Sequence, residues 1–281
     1  MLRRAGLLAG VAAVDWVGRV DAPPGLGEVD AVTGVLNGVH IRDYSRVLAA
    51  ALEARLEPGR LTLVLGGDCS VLVGVALALR RRGCYGLAFL DGHADFYSPS
   101  TEPTAEVASM ELAIVSGAGP AALADIDGLS PYLREQDVVL LGTRDLEAVT
   151  AEGSPDVRET GMRVIDLREV RRLGADQSAS QALERLTGAG LDGFWIHLDA
   201  DVLDDAVMPA VDYRLRGGLV ADELSGILAA LLASRRAVGL SVTIYNPELD
   251  DESLSAGRVL AQVVNQAVVG TGATPGAFHD Q

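Results

Sequence analysis

Short apolar runs recur along the chain, and longer stretches of helical spacing separate them. The runs Leu61 to Leu65, Tyr85 to Leu90, Asp137 to Leu141, Met162 to Ile165, Gly193 to Leu198 and Ala237 to Ile244 are predicted strands. Helical spacing covers Ser70 to Arg82, Gln177 to Leu186, Ala221 to Ser234 and Ser253 to Val269. Continuous apolar strands need cover on both faces, which a parallel sheet between two layers of helix supplies. The predicted fold class is α/β, a three-layer α/β/α sandwich with a mainly parallel central sheet, in one domain spanning 1–281. Function in such sheets sits at the carboxyl ends of strands. The residues just after each apolar run are therefore the place to look.

Composition narrows the partners. The chain has 281 residues, 49% of them hydrophobic, enough for one sizeable core. Its net charge of −16 argues against nucleic acid and anionic membranes, which need a basic footprint. Two cysteines, Cys69 and Cys84, are too few for a disulfide framework, and a reducing cytoplasm is the inference. The start of the chain faintly resembles a signal peptide, but its short apolar stretch is interrupted by Asp15. The apolar run Val71 to Leu79 is too short to span a bilayer.

Three strand ends carry candidate chemistry. The first is Asp91-Gly92-His93-Ala94-Asp95, after the run Tyr85 to Leu90. In extended backbone, alternation sets Asp91, His93 and Asp95 on one face, with small residues between. Two carboxylates and an imidazole converging there repel and dehydrate one another unless a cation sits among them. Hard oxygen donors with one imidazole suit Mn²⁺, with Zn²⁺, Fe²⁺ or Ni²⁺ as rivals. The second is His197-Leu198-Asp199-Ala200-Asp201, where the same alternation groups His197, Asp199 and Asp201. The third is Gly66-Gly67-Asp68-Cys69-Ser70, a tight turn into a helix that Asp68 or Ser70 is placed to cap. That turn lacks the lysine spacing of a phosphate loop.

Taken together, in order and spacing, these motifs resemble the ureohydrolase superfamily of arginases, agmatinases and their relatives. Gly66 to Ser70 looks like its G-G-D-H-S motif, with Cys69 in place of histidine. Asp91 to Asp95 resembles D-A-H-x-D, Gly142-Thr143-Arg144-Asp145 resembles G-x-R-D, and Asp199 to Asp204 resembles D-x-D-x-x-D. Arg3 to Leu7 looks like the family's first helix. The resemblance implies a binuclear metal-dependent hydrolase of a linear amidine, with two divalent ions, chiefly Mn²⁺. It implies Asp91 and Asp199 as bridging ligands, Cys69 and Asp95 on one metal, and His93 and Asp201 on the other. A metal-bridged hydroxide would attack the guanidino or formimino carbon, with Asp95 orienting it. It also implies a small-molecule substrate and a homo-oligomer, a trimer or hexamer.

The departures bear on the substrate. The carboxylate with which arginases and agmatinases hold the guanidinium should fall near Ile244, where no acid stands. Glu248, Glu111 or Glu106, on nearby loops, are the candidate replacements, and Glu111 is read as a candidate substrate-binding residue. Glu147 stands where arginases place an acid facing the substrate's α-amino group. The usual shuttle histidine is missing from the region Thr104 to Glu111. His197 is read either as a compensating proton donor or as a hydrogen-bonded core residue, while His40 and His279 are read as surface residues. Trp195 and Phe194 are read as core, and Asp204 as a loop support. The family's interior first strand is missing; the expectation is either a truncated start or a segment, Val11 to Val17, that takes over part of its work, and without an interior strand two ladder edges would be exposed. Two rivals remain: a non-catalytic metal-binding or interaction protein on this scaffold, and another metallohydrolase activity such as deacetylation.

Overall fold

The computed structural model describes residues 1–11, 14–271 and 275–279. Its strands are β1 (Asp15–Gly18), β2 (Leu61–Leu65), β3 (Tyr85–Leu90), β4 (Val138–Leu141), β5 (Arg163–Ile165), β6 (Gly193–Asp199), β7 (Ala237–Thr243) and β8 (Pro275–His279). They form one sheet in the order β1-β8-β2-β7-β6-β3-β4-β5, and every neighbouring pair is parallel. Every residue of β2, β4 and β6 is buried, which explains their mostly apolar character, with Thr62, His197 and Asp199 as the buried polar exceptions.

Helices cover both faces. On one lie α1 (Gly38–Glu53), α2 (Val71–Arg82), α3 (Glu111–Val115), α4 (Ala121–Ala124) and α5 (Leu146–Ala151), packed on Val64, Leu87, Phe89, Leu140 and Trp195. On the other lie α6 (Leu167–Leu173), α7 (Ala175–Leu186), α8 (Ala221–Ala233) and α9 (Ser255–Thr271), packed on Leu63, Leu90, Leu141, Ile196 and Leu240. Local chemistry sets several boundaries. The helix α2 ends at Gly83 with Arg80, Arg81 and Arg82 in its last turn, where cations suit the negative end of the helix dipole. The start of α6 is capped by Asp166, whose carboxylate accepts the Glu169 N–H at 2.7 Å.

The order of the strands positions the site. From β3 the sheet grows outward through β4 to β5; the chain then returns as β6 beside β3 and grows the other way through β7. The reversal falls between β3 and β6, and their carboxyl ends flank the crevice that such a switch leaves.

The six predicted strands lie within one residue of those observed at either end. The amino terminus differs. Residues 2–10 form successive turns instead of the expected helix, with Gly6, Leu8 and Gly10 all at positive φ, which a right-handed helix excludes. From Val11 to Val17, Asp15 onward belongs to β1, and Ala12 and Ala13 lie outside the described residues. The expected gap beside β2 is filled by β8, which pairs with β1 on one side and β2 on the other. Among the described residues, no exposed pair of interior edges results.

Strands β6 and β7 meet with large residues opposite small ones. Trp195 is wholly buried and pairs in register with Gly239, where an added β-carbon would overlap the indole ring. Gly239→Ala is expected to cost about 3 kcal/mol in chemical denaturation, because this core cannot swell to take the methyl group. Gly226→Ala, in α8, meets only Ala175 at 3.6 Å and is expected to stabilise by about 0.5–1 kcal/mol.

Candidate metal centre

The carboxyl ends of β2, β3, β6 and β7 converge, but not by simple alternation. β3 stops at Leu90, and Asp91 to Asp95 is loop, with Asp95 in the left-handed region at φ 44. β6 runs on to Asp199, so His197 and Asp199 do share a strand face, while Asp201 lies in a 3₁₀ turn, Ala200–Val202. Turns, not extended backbone, therefore deliver His93, Asp95 and Asp201. Two of these turns are alike. Asp91 Oδ1 accepts the His93 N–H at 2.7 Å, and Asp199 Oδ1 accepts the Asp201 N–H at 2.7 Å. After β2, Asp68 Oδ1 accepts the Ser70 N–H at 2.8 Å, which orders the turn that carries Cys69.

Gly92 lets the two arms close. Its N–H donates to Asp201 Oδ1 at 3.1 Å, and a β-carbon there would overlap the Arg144 guanidinium and the Asp201 carbonyl. The Arg144 guanidinium donates to the carbonyls of Asp201, Leu203 and Leu215, at 2.7, 3.3 and 2.9 Å. It thereby clamps the turn after β6.

Two groups of donors result. Cys69, Asp91, Glu111 and His197 each offer one ligand atom, and these atoms lie within 4.8 Å of one another. Asp91, His93 and Asp201 form the second group by the same measure. Asp91 belongs to both. Asp199 adjoins the first group, accepting from the Cys69 thiol at 2.9 Å. Asp95 is buried and electrostatically close to Glu111.

The electrostatics are those of a site short of positive charge. Burial raises the carboxyls of Asp91, Asp95, Glu111 and Asp199 far above their ordinary range, and the charges of neighbouring carboxylates raise them further. Burial likewise raises the Cys69 thiol, reinforced by Asp199. One local ion pair opposes the trend. Against the cost of burial, Asp201 raises His93 and His93 lowers Asp201; the two touch at 2.9 Å. Asp91 Oδ2 and both Glu111 carboxylate oxygens are buried with no hydrogen-bond partner among the described residues. Unpaired buried carboxylate oxygens are costly unless a cation takes them. The donor set and its orphaned oxygens fit divalent metal.

His197 is fully buried and stacked on Phe89, with ring centroids 5.0 Å apart. Burial lowers its pKa to about 3, so the ring is neutral. Ser241 and Thr243, paired in register with His197 and Asp199, complete its surroundings. Trp195 Nε1 can only donate, and it donates to Ser241 Oγ at 3.0 Å. Ser241 Oγ lies 2.8 Å from His197 Nδ1, and His197 Nε2 lies 3.2 Å from Cys69 Sγ. With the Ser241 hydroxyl donating to Nδ1, every proton in the relay finds an acceptor, so Nε2 carries the hydrogen and offers it to sulfur. Sequence reasoning passed over Ser241 and Thr243; two hydroxyls at alternate positions in an apolar run were the signal.

Other candidates lie elsewhere. The Glu147 side chain is 64% exposed and pairs with Arg158 and Arg168. Glu248 is exposed, and Glu106 accepts from the Tyr213 hydroxyl at 2.8 Å. Ile244 is partly buried at φ 66, a strained conformation for a β-branched residue, with its N–H donated to the Gly67 carbonyl at 2.8 Å. Asp204 accepts the N–H groups of Ala206 and Gly217, at 2.9 and 2.6 Å, and so braces its loop. His40 lies half-buried in α1. The side chain of His279 lies outside what the structure describes.

A sequence profile described as the arginase family matches residues 11–270. The chain belongs to the arginase family. Arginase from Bacillus caldovelox is 30% identical to it over 223 residues, 79% of this chain and 73% of that protein. Arginase from Staphylococcus aureus (strain MRSA252) is 27% identical over 231 residues, 82% of this chain and 75% of that protein. The solved native structure of the B. caldovelox arginase superposes with a TM-score of 0.77 at 28% identity, covering 88% of this chain and 82% of that one.

The four raised carboxyls hold protons that their unfolded forms have lost, so the stability they contribute is full at low pH and falls as pH rises through their folded values. His197 opposes this only below about pH 6.5, where its unfolded form takes up a proton. Metal-free protein is therefore expected to lose thermal stability as pH rises above about 6.5. Saturating Mn²⁺ in that range is expected to restore about 5 °C of melting temperature. Calorimetry with and without chelator checks both.

Proposed function

We propose that this chain is a hydrolase that cleaves a C–N bond of a linear amidine, a guanidino or formimino compound, on a pair of divalent cations. The observation that carries the reading is Asp91, shared by two donor groups, whose Oδ2 and the two Glu111 carboxylate oxygens are buried without hydrogen-bond partners among the described residues, in a chain of the arginase family. Cys69, Asp95, Asp199 and Glu111 would hold one cation, His93 and Asp201 the other, and Asp91 both, with Mn²⁺ the first ion to test. When bound, such a pair supplies Lewis acidity and an acidified water as nucleophile. The residues of the chain position and exclude. Asp95 is buried where it can orient the nucleophile, and Arg144 holds the Asp201 turn in register. His197 is a poor proton shuttle, because a shuttle exchanges with water and this ring is enclosed with both nitrogens engaged. A positioning role follows.

No acid occupies position 244, so a fixed guanidinium lacks its expected partner, and arginine is not the proposed substrate. No helix among the described residues is long and apolar enough to cross a membrane, and both cysteines are free, which accords with a cytoplasmic enzyme. We place it there as a homo-oligomer.

The test is release of urea or ammonia from a panel of guanidino and formimino compounds by metal-loaded protein. Turnover of at least one compound is expected, and Asp91→Asn should lower it by about 100-fold or more. Two bound metals with no turnover across the panel would defeat the proposal. Ile244→Glu is expected to raise kcat/KM for a guanidinium compound by about tenfold or more, the worth of one charge-assisted hydrogen-bonded pair. An unchanged value would show that the guanidinium is held elsewhere.

A further inference from the structure

The two donor groups differ in chemical softness. The second offers two carboxylates and one imidazole, Asp91, Asp201 and His93. The first contains the only sulfur in either group, Cys69 Sγ, with Asp91, Glu111 and the adjoining Asp199. Thiolate favours borderline and soft cations, while carboxylate-rich sites suit hard ones. A thiol that coordinates a divalent metal gives up its proton, which also releases Asp199 Oδ2 from its hydrogen bond with sulfur.

His197 has two possible relations to such a cation. Its Nε2 is near enough to the group to be a ligand, or it can donate to the sulfur. The relay decides between them. Trp195 donates to Ser241 Oγ, and the Ser241 hydroxyl has His197 Nδ1 as its acceptor. If Nδ1 carried the hydrogen instead, the hydroxyl proton of buried Ser241 would have no acceptor among the described residues. Nε2–H therefore points at sulfur, and a hydrogen bond to a metal-bound thiolate stabilises its lone pair and reduces its donation to the metal.

Resting on the metal-centre reading above, we propose that the two halves of the centre select different cations. Cys69, as thiolate, makes its pocket a site for a borderline cation such as Zn²⁺ or Co²⁺. The pocket of His93 and Asp201 keeps a hard cation such as Mn²⁺. His197 is a positioning residue that donates its Nε2–H to the sulfur and is itself held by Ser241 and Trp195.

The test uses the full chain, loaded with Mn²⁺ and titrated with Co²⁺, with bound metals counted and the absorption spectrum followed. The first equivalent of Co²⁺ should displace one Mn²⁺ and develop the whole near-ultraviolet sulfur-to-cobalt charge-transfer band. The second should replace the remaining Mn²⁺ without enlarging it. A band that grows through both equivalents, or none at full cobalt occupancy, overturns the proposal. Cys69→Ser should abolish the band. His197→Phe, which keeps an aromatic ring against Phe89, should move the band to longer wavelength; an unmoved band overturns the role given to His197. These readouts are independent of turnover. Failure of the amidine assay with an ordered cobalt titration would sink the proposed reaction alone, and an unordered titration with turnover would sink the split alone.

Discussion

Five carboxyl groups and a thiol enclosed together, with one partly exposed histidine as the nearest cationic partner, form the constraint on which the rest of this structure depends. Such a cluster favours unfolding on its own terms, because its members are desolvated and repel each other. It persists because backbone, not flexible side chain, holds it. The same device recurs after three strands: Asp68, Asp91 and Asp199 each accept an N–H from two residues further on. Each turn fixes an aspartate and aims the next functional side chain. Arg144 adds a guanidinium that is itself buried, with Asp201 and Asp91 as its nearest charges. Its hydrogen bonds go to carbonyls, so it braces the turn while leaving the carboxylates free for another cation.

The parts of the fold that were legible in the sequence are those where burial acts evenly along an element. β2 and β3 match their predicted ranges residue for residue, because both are covered on two faces and bear a dominantly apolar run. The short helices α3 to α6 were not predicted, since four to seven residues hold too little periodicity to read. β8 was missed for a different reason. Pro275 and Gly276 argue locally against a strand, and only the open ladder edges of β1 and β2 favour one. The turns of residues 2–10 fail as a helix at three positive-φ positions, of which only the two glycines could have been suspected.

The site was legible as a set of residues and not as a geometry. The three aspartate motifs announce themselves by spacing, yet alternation along a strand is the right reason only for His197 and Asp199. Glu111 shows the limit most clearly. It sits in a helix of five residues, twenty positions beyond Asp91, and only the folding of the intervening loop sets its carboxylate beside Cys69. Ser241 and Thr243 are similar: their part in the site is a matter of register with β6, which no single strand reveals.

The relay from Trp195 through Ser241 and His197 to Cys69 joins an indole to the candidate metal pocket by three hydrogen bonds. The chain has only two tryptophans, and Trp195 is the one enclosed in the core. Whatever changes the charge on the sulfur changes the field along that indole's N–H. The relay thus wires a buried indole to the cluster, so that occupancy of the pocket and the surroundings of Trp195 are physically coupled.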